Sequence, residues 1–363
     1  MEDAAQDGVR KKLETDFQTT PVFLPPDMGA LFLGKFCGQI LWQMLHSIPP
    51  FVDVELMDTF QETYNAYCAA NQRFYDVVTE LYEDGDLVLV YDYHLMLLPL
   101  LLRRRFPNVT CSFTLTCPFP STEFFRVSPV RQELLRGMLG ADLVTFSDYH
   151  YLRHFENALI RILGLECDKN KAESSDGRVV FLGVCPPGID PRRFESTPAV
   201  QSAVERLKKK AEFAGKRLIV SMDRLDMTRG IPHKLLAFEE FLLTQPQWQG
   251  KVVLVLIAPS GDQAQADPTS KKLLLQMTRT VCQMVGRLNG EFGGADYIPV
   301  QVRRDFSFTC TDCVPGSVLL TVRRVKMDQC GLCSWLVVKC HHVYSSVGLG
   351  RHCRERWRAK RTT

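Results

Sequence analysis

The 363-residue sequence is poor in three features, and each absence excludes a class of protein. It has no secretory start, because Met1-Glu2-Asp3 is acidic where a basic and then apolar stretch is needed. It has no membrane-length apolar run: the longest, Leu87 to Leu102, is short and carries Asp92 and His94. It has little net charge, +3 from 44 Lys and Arg against 41 Asp and Glu. That excess sits in one place. Residues 309–363 hold ten basic against three acidic side chains, which leaves the first 308 mildly acidic. Such a body gives no electrostatic basis for binding nucleic acid or a membrane, and the basic end reads as a solvated tail. Cysteine, by contrast, is plentiful. Thirteen, an odd number spread along a long chain, fit free thiols in a reducing compartment, so a cytoplasmic location is expected. With 45% apolar and 23% charged residues the chain is an ordinary folded protein with room for about two domains.

Short β-branched runs alternate with longer helical patterns. Leu87-Val88-Leu89-Val90-Tyr91 reads as a strand and Leu95 to Phe106 as a helix; Val109 to Thr116 and Ala141 to Phe146 are further strands. Helices are predicted over Val130 to Leu139 and Tyr151 to Leu163, and a strand over Arg178 to Val184. A charged stretch between Ser196 and Lys216 interrupts the pattern, which then restarts. Strands at Arg217 to Met222, Val252 to Ala258 and Tyr297 to Val302 alternate with helices at Pro232 to Leu243 and Lys271 to Leu288. Continuous apolar strands between amphipathic helices signal parallel sheets covered on both faces. The expected class is α/β, with two sequential doubly wound units. In such folds the chemistry sits at the carboxyl ends of the strands.

Two strand ends carry candidate residues. At Tyr91-Asp92-Tyr93-His94, the Asp92 carboxylate either accepts hydrogen bonds from sugar hydroxyls or caps the next helix. At Asp223-Arg224-Leu225-Asp226-Met227-Thr228-Arg229-Gly230, two guanidiniums precede a helix N-terminus. Arg224 and Arg229 form either a diphosphate cradle or an Arg–Asp network within the loop. In the first case they would stabilise charge on a departing nucleoside diphosphate without a metal. The intervening Cys117-Pro118-Phe119-Pro120-Ser121-Thr122-Glu123 reads as a rigid turn and helix cap.

Many separated motifs, in one order, resemble the trehalose-6-phosphate synthase family of glycosyltransferases. They are Trp42, Tyr91 to Pro99, Pro118-Phe119-Pro120-Ser121, Leu135 to Leu143 and Arg153-His154-Phe155. Pro187-Gly188-Ile189-Asp190, Asp223 to Asp226 and Val285 to Gly290 continue the series, and the opening Pro21 to Asp27 is most similar to the plant-type branch. The resemblance implies a GT-B-like pair of Rossmann-like domains that transfers glucose from UDP-glucose to glucose 6-phosphate with retention. It places Trp42 and Asp92 on the glucose and acceptor side and Arg224 and Arg229 against the UDP phosphates. No metal or other cofactor is implied. Expected domains are a non-matching leader (1–19), an acceptor-side domain (20–212), a partial nucleotide-sugar domain (213–308) and a Cys-rich tail (309–363).

Departures from the family pattern bear on activity. The early strand and Gly-rich loop that should precede Pro21 find no match. Leu33 replaces a Tyr, Thr116 replaces a His that contacts the transferred sugar, and Arg229 stands where Lys is expected. After Phe308 the distal acidic donor-binding segment does not appear. The first domain is therefore expected to lack its N-terminal strand and the second to be incomplete. Two functions follow: an impaired synthase, or a non-catalytic relative that binds sugar phosphate or docks on a full-length family member. In the tail, Cys310-x2-Cys313 and Cys330-x2-Cys333 match zinc-ribbon spacing. Their crowding and abrupt onset favour a poorly ordered segment without zinc, in which Ser334 to Val338 is the sole strand candidate.

Overall fold

The computed structural model describes residues 2–48, 58–174, 176–191, 198–209, 213–223, 225, 227–258, 268–303, 319–326 and 334–341. The chain divides into two compact units, Met1–Ile189 with Ser317–Thr363, and Asp190–Gly316. The first unit contains strands β1 (Thr19–Pro21), β2 (Leu87–Tyr91), β3 (Thr110–Leu115), β4 (Leu143–Phe146), β5 (Cys167–Asp168), β6 (Lys171–Glu173) and β7 (Val179–Val184). The second holds β8 (Arg217–Met222), β9 (Val252–Ile257) and β10 (Val300–Arg303); the chain then returns to the first with β11 (Leu319–Lys326) and β12 (Ser334–His341). Helices of the first unit are α1 (Glu2–Phe17), α2 (Pro26–Gly29), α3 (Trp42–Leu45), α4 (Phe60–Leu81), α5 (Leu98–Arg105), α6 (Thr122–Phe125), α7 (Arg131–Met138) and α8 (Tyr149–Ala158). Those of the second are α9 (Pro198–Lys208), α10 (Ile231–Thr244) and α11 (Pro268–Phe292).

The first unit's sheet has nine strands in the order β1-β11-β12-β2-β3-β4-β7-β6-β5. It is parallel from β12 through β7 and antiparallel at both margins. One set of side chains is buried throughout: Val88 and Val90, then Cys111, Phe113 and Leu115, then Val144 and Phe146. Helix α4 covers part of the unit because Tyr67, Ala70, Phe74 and Val78 recur at three- and four-residue spacing and are all fully buried. Aromatic rings close another part, with Phe155 edge-on to Phe119 at 5.3 Å and tilted on Phe146 at 5.0 Å. The Leu135 to Leu143 motif has a steric explanation. A Cβ on Gly137 would lie 2.4 Å from the Met96 carbonyl oxygen, and one on Gly140 2.3 Å from the Leu100 nitrogen. Helix α7 thus approaches the chain after β2 more closely than any side chain permits.

The second unit's sheet is β10-β9-β8, all parallel. Val252 to Leu256 of β9 are buried on both faces, as the continuous apolar run predicts. Strand β8 departs from that expectation. It lies at an edge, and Leu218, Ile219, Val220 and Met222 are all exposed. The core of this unit comes instead from Ile231, Leu235, Phe238 and Leu242 of α10 against β9, Val281 and Leu288.

The compact units divide after Ile189, whereas the expected domains divide at residue 212. The expectation of a tail without packed strands is corrected. The tail contributes two strands to the first unit, with β12 parallel to β2 in the register Trp335↔Leu87 to Lys339↔Tyr91. Strand β11 then bridges β12 to β1. The reason is an open ladder. The edge of β2 presents unpaired backbone donors and acceptors, and Leu319 to Val322 and Trp335 to Val338 have the β-branched and aromatic composition that pairs with it. Cys310, Cys313, Cys330 and Cys333 lie outside the described residues, as does Arg224.

Candidate functional site

In the first unit the site begins where β2 ends. Asp92 follows Tyr91 with φ 70 and ψ 168, a conformation that a non-glycine residue adopts at a cost of about 1–3 kcal/mol. Its backbone N–H donates to the Thr114 carbonyl at 2.8 Å, holding the turn to the neighbouring strand. Its carboxylate has two recorded roles. One oxygen accepts from the Tyr93 N–H at 3.1 Å, capping the short turn Tyr93–Leu95. The other accepts from the Thr116 hydroxyl at 2.9 Å. Burial pushes the Cys117 thiol well above its ordinary range, and the Asp92 charge beside it adds to the shift. That thiol stays protonated and is a further weak donor to Asp92.

The turn is clamped from below by α4. Tyr67, fully buried, donates its hydroxyl to the Tyr93 carbonyl at 2.8 Å and accepts the Met96 N–H at 3.0 Å. Asn71, one helical turn on, donates to the His94 carbonyl at 3.1 Å. Neither residue was singled out from sequence. Their signal is a series of polar side chains at four-residue spacing, Thr63, Tyr67 and Asn71, among the apolar residues on the buried face of α4.

Trp42 is brought to the same place. The chain from Ala30 to Leu41 winds with wide turns, so that the Trp42 N–H donates to Cys37 five residues back. The Trp42 ring is half-buried, 5.8 Å from the Tyr93 ring and 3.9 Å from that of His46, whose Nδ1 lies 2.7 Å from the Trp42 carbonyl oxygen. An aromatic face and a partly exposed carboxylate therefore flank one turn at the carboxyl edge of a parallel sheet. Leu33, from the wide-turn segment, packs against the core. Strand β12 runs two residues, Cys340 and His341, past its last pairing with Tyr91, which sets them level with the same edge.

In the second unit the loop after β8 leads into α10. Arg229 is exposed and closes the turn Met227–Arg229. Gly230, at φ 64, then starts α10 without a side-chain cap. Asp223 is ion-paired to Lys234, and the Ser221 hydroxyl donates to it at 2.9 Å. Partial burial works against the Asp223 charge, but the Lys234 and Ser221 hydrogen bonds and the Lys234 and Arg229 charges outweigh it and hold the carboxyl below its ordinary range. Asp223 is thus held by Lys234 and Ser221, and Arg229 stands exposed beside an uncapped helix N-terminus. Lys234 was not read from sequence, because its partner is eleven residues away across the helix start. Among the described residues no cluster of metal-ligating side chains occurs, and no helix is long and apolar enough to cross a membrane.

The model for glycosyltransferase family 20 matches residues 1–309. The chain belongs to this family. Family 20 relatives from fungi and plants match equally well. Alpha,alpha-trehalose-phosphate synthase [UDP-forming] 2 of Aspergillus niger is 39% identical over 302 residues, 81% of this chain and 60% of that protein. The corresponding synthase 1 of Arabidopsis thaliana is 39% identical over 335 residues, 90% of this chain but 34% of that protein. Among solved structures, the N-terminal domain of Candida albicans trehalose-6-phosphate phosphatase matches at TM-score 0.71 and 31% identity, over 85% of this chain and 64% of that one. A synthase from Burkholderia vietnamiensis matches at TM-score 0.66 and 25% identity, over 78% and 58%. The chain therefore spans less than two thirds of the length of these family 20 proteins. Their α/β architecture, with mostly parallel strands, is the one described above.

Proposed function

We propose that the chain is a trehalose-6-phosphate synthase-type glucosyltransferase of trehalose biosynthesis, with UDP-glucose as donor, glucose 6-phosphate as acceptor and slow turnover. The observation that carries this reading is the Trp42 ring set against Tyr93, the residue after Asp92, at the carboxyl end of β2. An aromatic face stacks on the apolar face of a sugar ring, and a carboxylate accepts from its hydroxyls. In the reaction the bond from the glucosyl carbon to the UDP oxygen breaks, the oxygen of an acceptor hydroxyl takes its place on the same face, and the hydroxyl proton is given up to the departing phosphate or to water. UDP departs carrying negative charge. Arg229, just before the positive end of α10, and Arg224, five residues earlier in the sequence, are the groups proposed to meet it. Slow turnover follows from Thr116, whose hydroxyl engages Asp92 where the family pattern has an imidazole. Loss of one transition-state donor lowers turnover by roughly 100-fold to 1,000-fold.

A second reading, a non-catalytic family member that binds sugar phosphate or docks on a full-length relative, is favoured by the Thr116–Asp92 contact and by the likeness to a phosphatase's N-terminal domain. One assay separates them. Purified chain is given UDP-glucose and glucose 6-phosphate and UDP release is followed, alongside Thr116→His. Slow release that rises in T116H supports the transferase; calorimetric binding of glucose 6-phosphate, weakened in Trp42→Ala, without release in either protein supports the second reading. Neither binding nor release would sink both.

A further inference from the structure

In the first unit a cavity of about 240 Å³ is lined by Thr122, Glu123, Arg126, Arg131, Gln132 and Arg161, among others. Its charge is unbalanced, with three guanidiniums against one carboxylate. Glu123 is already engaged. Its own backbone N–H and the Ser121 hydroxyl hold its carboxyl below the ordinary range, and Arg161, 3.2 Å away, and Arg126 add to this. Arg131 donates one N–H to the Ser128 carbonyl at 3.0 Å. The Arg126 guanidinium makes no hydrogen bond or ion pair among the described residues. Each guanidinium carries five N–H donors, so most of the donor capacity around the cavity is available to a ligand.

The backbone adds to the same field. Arg131 and Gln132 are the first two residues of α7, which has no side-chain cap at its N-terminus. The positive end of that helix joins the arginines. The one acidic residue of that first turn, Glu133, lies instead beside Tyr64 and Cys68. The lining residues named above include none of Trp42, Asp92 and Thr116, the residues of the strand-end site.

We propose that this pocket binds the phosphate group of a small molecule, either inorganic phosphate or a phosphomonoester. The net charge of the lining matches a dianion, planar guanidiniums engage phosphate oxygens two at a time, and the volume admits phosphate or a compact ester of it. It is a second anion site, independent of the proposed glucosyl transfer.

The test is calorimetric titration of the full chain, in a Trp42→Ala background that disables the strand-end site, with inorganic phosphate and with glucose 6-phosphate. Saturable binding of phosphate is expected, weakened about tenfold or more in Arg126→Ala and in Arg161→Ala. Glu123→Gln is expected to tighten it, an outcome that misfolding does not mimic. Equal affinity for the two probes assigns the pocket to the phosphate group alone; tighter binding of glucose 6-phosphate assigns it to a sugar ester. Absence of saturable binding by the parent, or unchanged binding in the Arg126→Ala, Arg161→Ala double variant, would overturn the proposal.

Discussion

Tyr67→Phe removes a single oxygen from the floor of the Asp92 turn. The side chain is fully buried, so no water replaces what is lost. Two backbone groups lose this partner at once: the Tyr93 carbonyl, which accepts the hydroxyl at 2.8 Å, and the Met96 N–H, which donates to it at 3.0 Å. Each buried unpaired polar group costs about 1–3 kcal/mol, so roughly 2–4 kcal/mol is expected after partial relaxation. The ring itself stays in place against Phe36, 4.7 Å between centroids, so no cavity term is added. Burial pushes the Tyr67 hydroxyl well above its ordinary value, and the loss is therefore the same at any pH near neutral. Urea unfolding should show a lower midpoint for the first unit at unchanged slope. Hydrogen exchange should show faster exchange of the Met96 amide, and glucose 6-phosphate binding should weaken because Asp92 is positioned by this turn. A loss below about 0.5 kcal/mol with a protected Met96 amide would refute the reasoning, since it would mean the two groups find other partners.

Gly140→Ala should destabilise the first unit by about 1–3 kcal/mol or more, read from the same urea transition, because its Cβ would meet the backbone of Leu100. Asp223→Asn should flatten the acid limb of stability in the second unit. The folded-state carboxyl is depressed, so its contribution is present above the ordinary carboxylate range and is lost as pH falls through the lowered value; parent and variant should converge in strong acid, as thermal melts against pH will show. Cys282, exposed, should react with a thiol reagent in the folded chain, whereas Cys111, whose thiol burial pushes up to about 12, should stay silent until the chain unfolds.

Much of the scaffold was legible because its signals are local. Strands β2 and β8 fall on the predicted Leu87–Tyr91 and Arg217–Met222, and α7 lies within Val130 to Leu139, since a run's apolar period and its flanking turn residues declare it without reference to the rest of the chain. The position of Asp92 at a strand end was equally local. What holds Asp92 there was not. Thr116 lies 24 residues on, Tyr67 and Asn71 come from the preceding helix, and Trp42 arrives by a wide-turned segment whose irregular winding no simple period announces. The arginine pocket gathers Glu123 and Arg161 across 38 residues. The pairing of β12 with β2 joins segments about 250 residues apart, and no pattern within either one names its partner. Hydrophobic period and turn chemistry are properties of a few consecutive residues, so most of the strands and several helices, and the family, could be read from the sequence alone, whereas α4 and β11 were not. Contacts between distant side chains depend on which faces and edges remain open once those elements pack, and only the tertiary structure decided them.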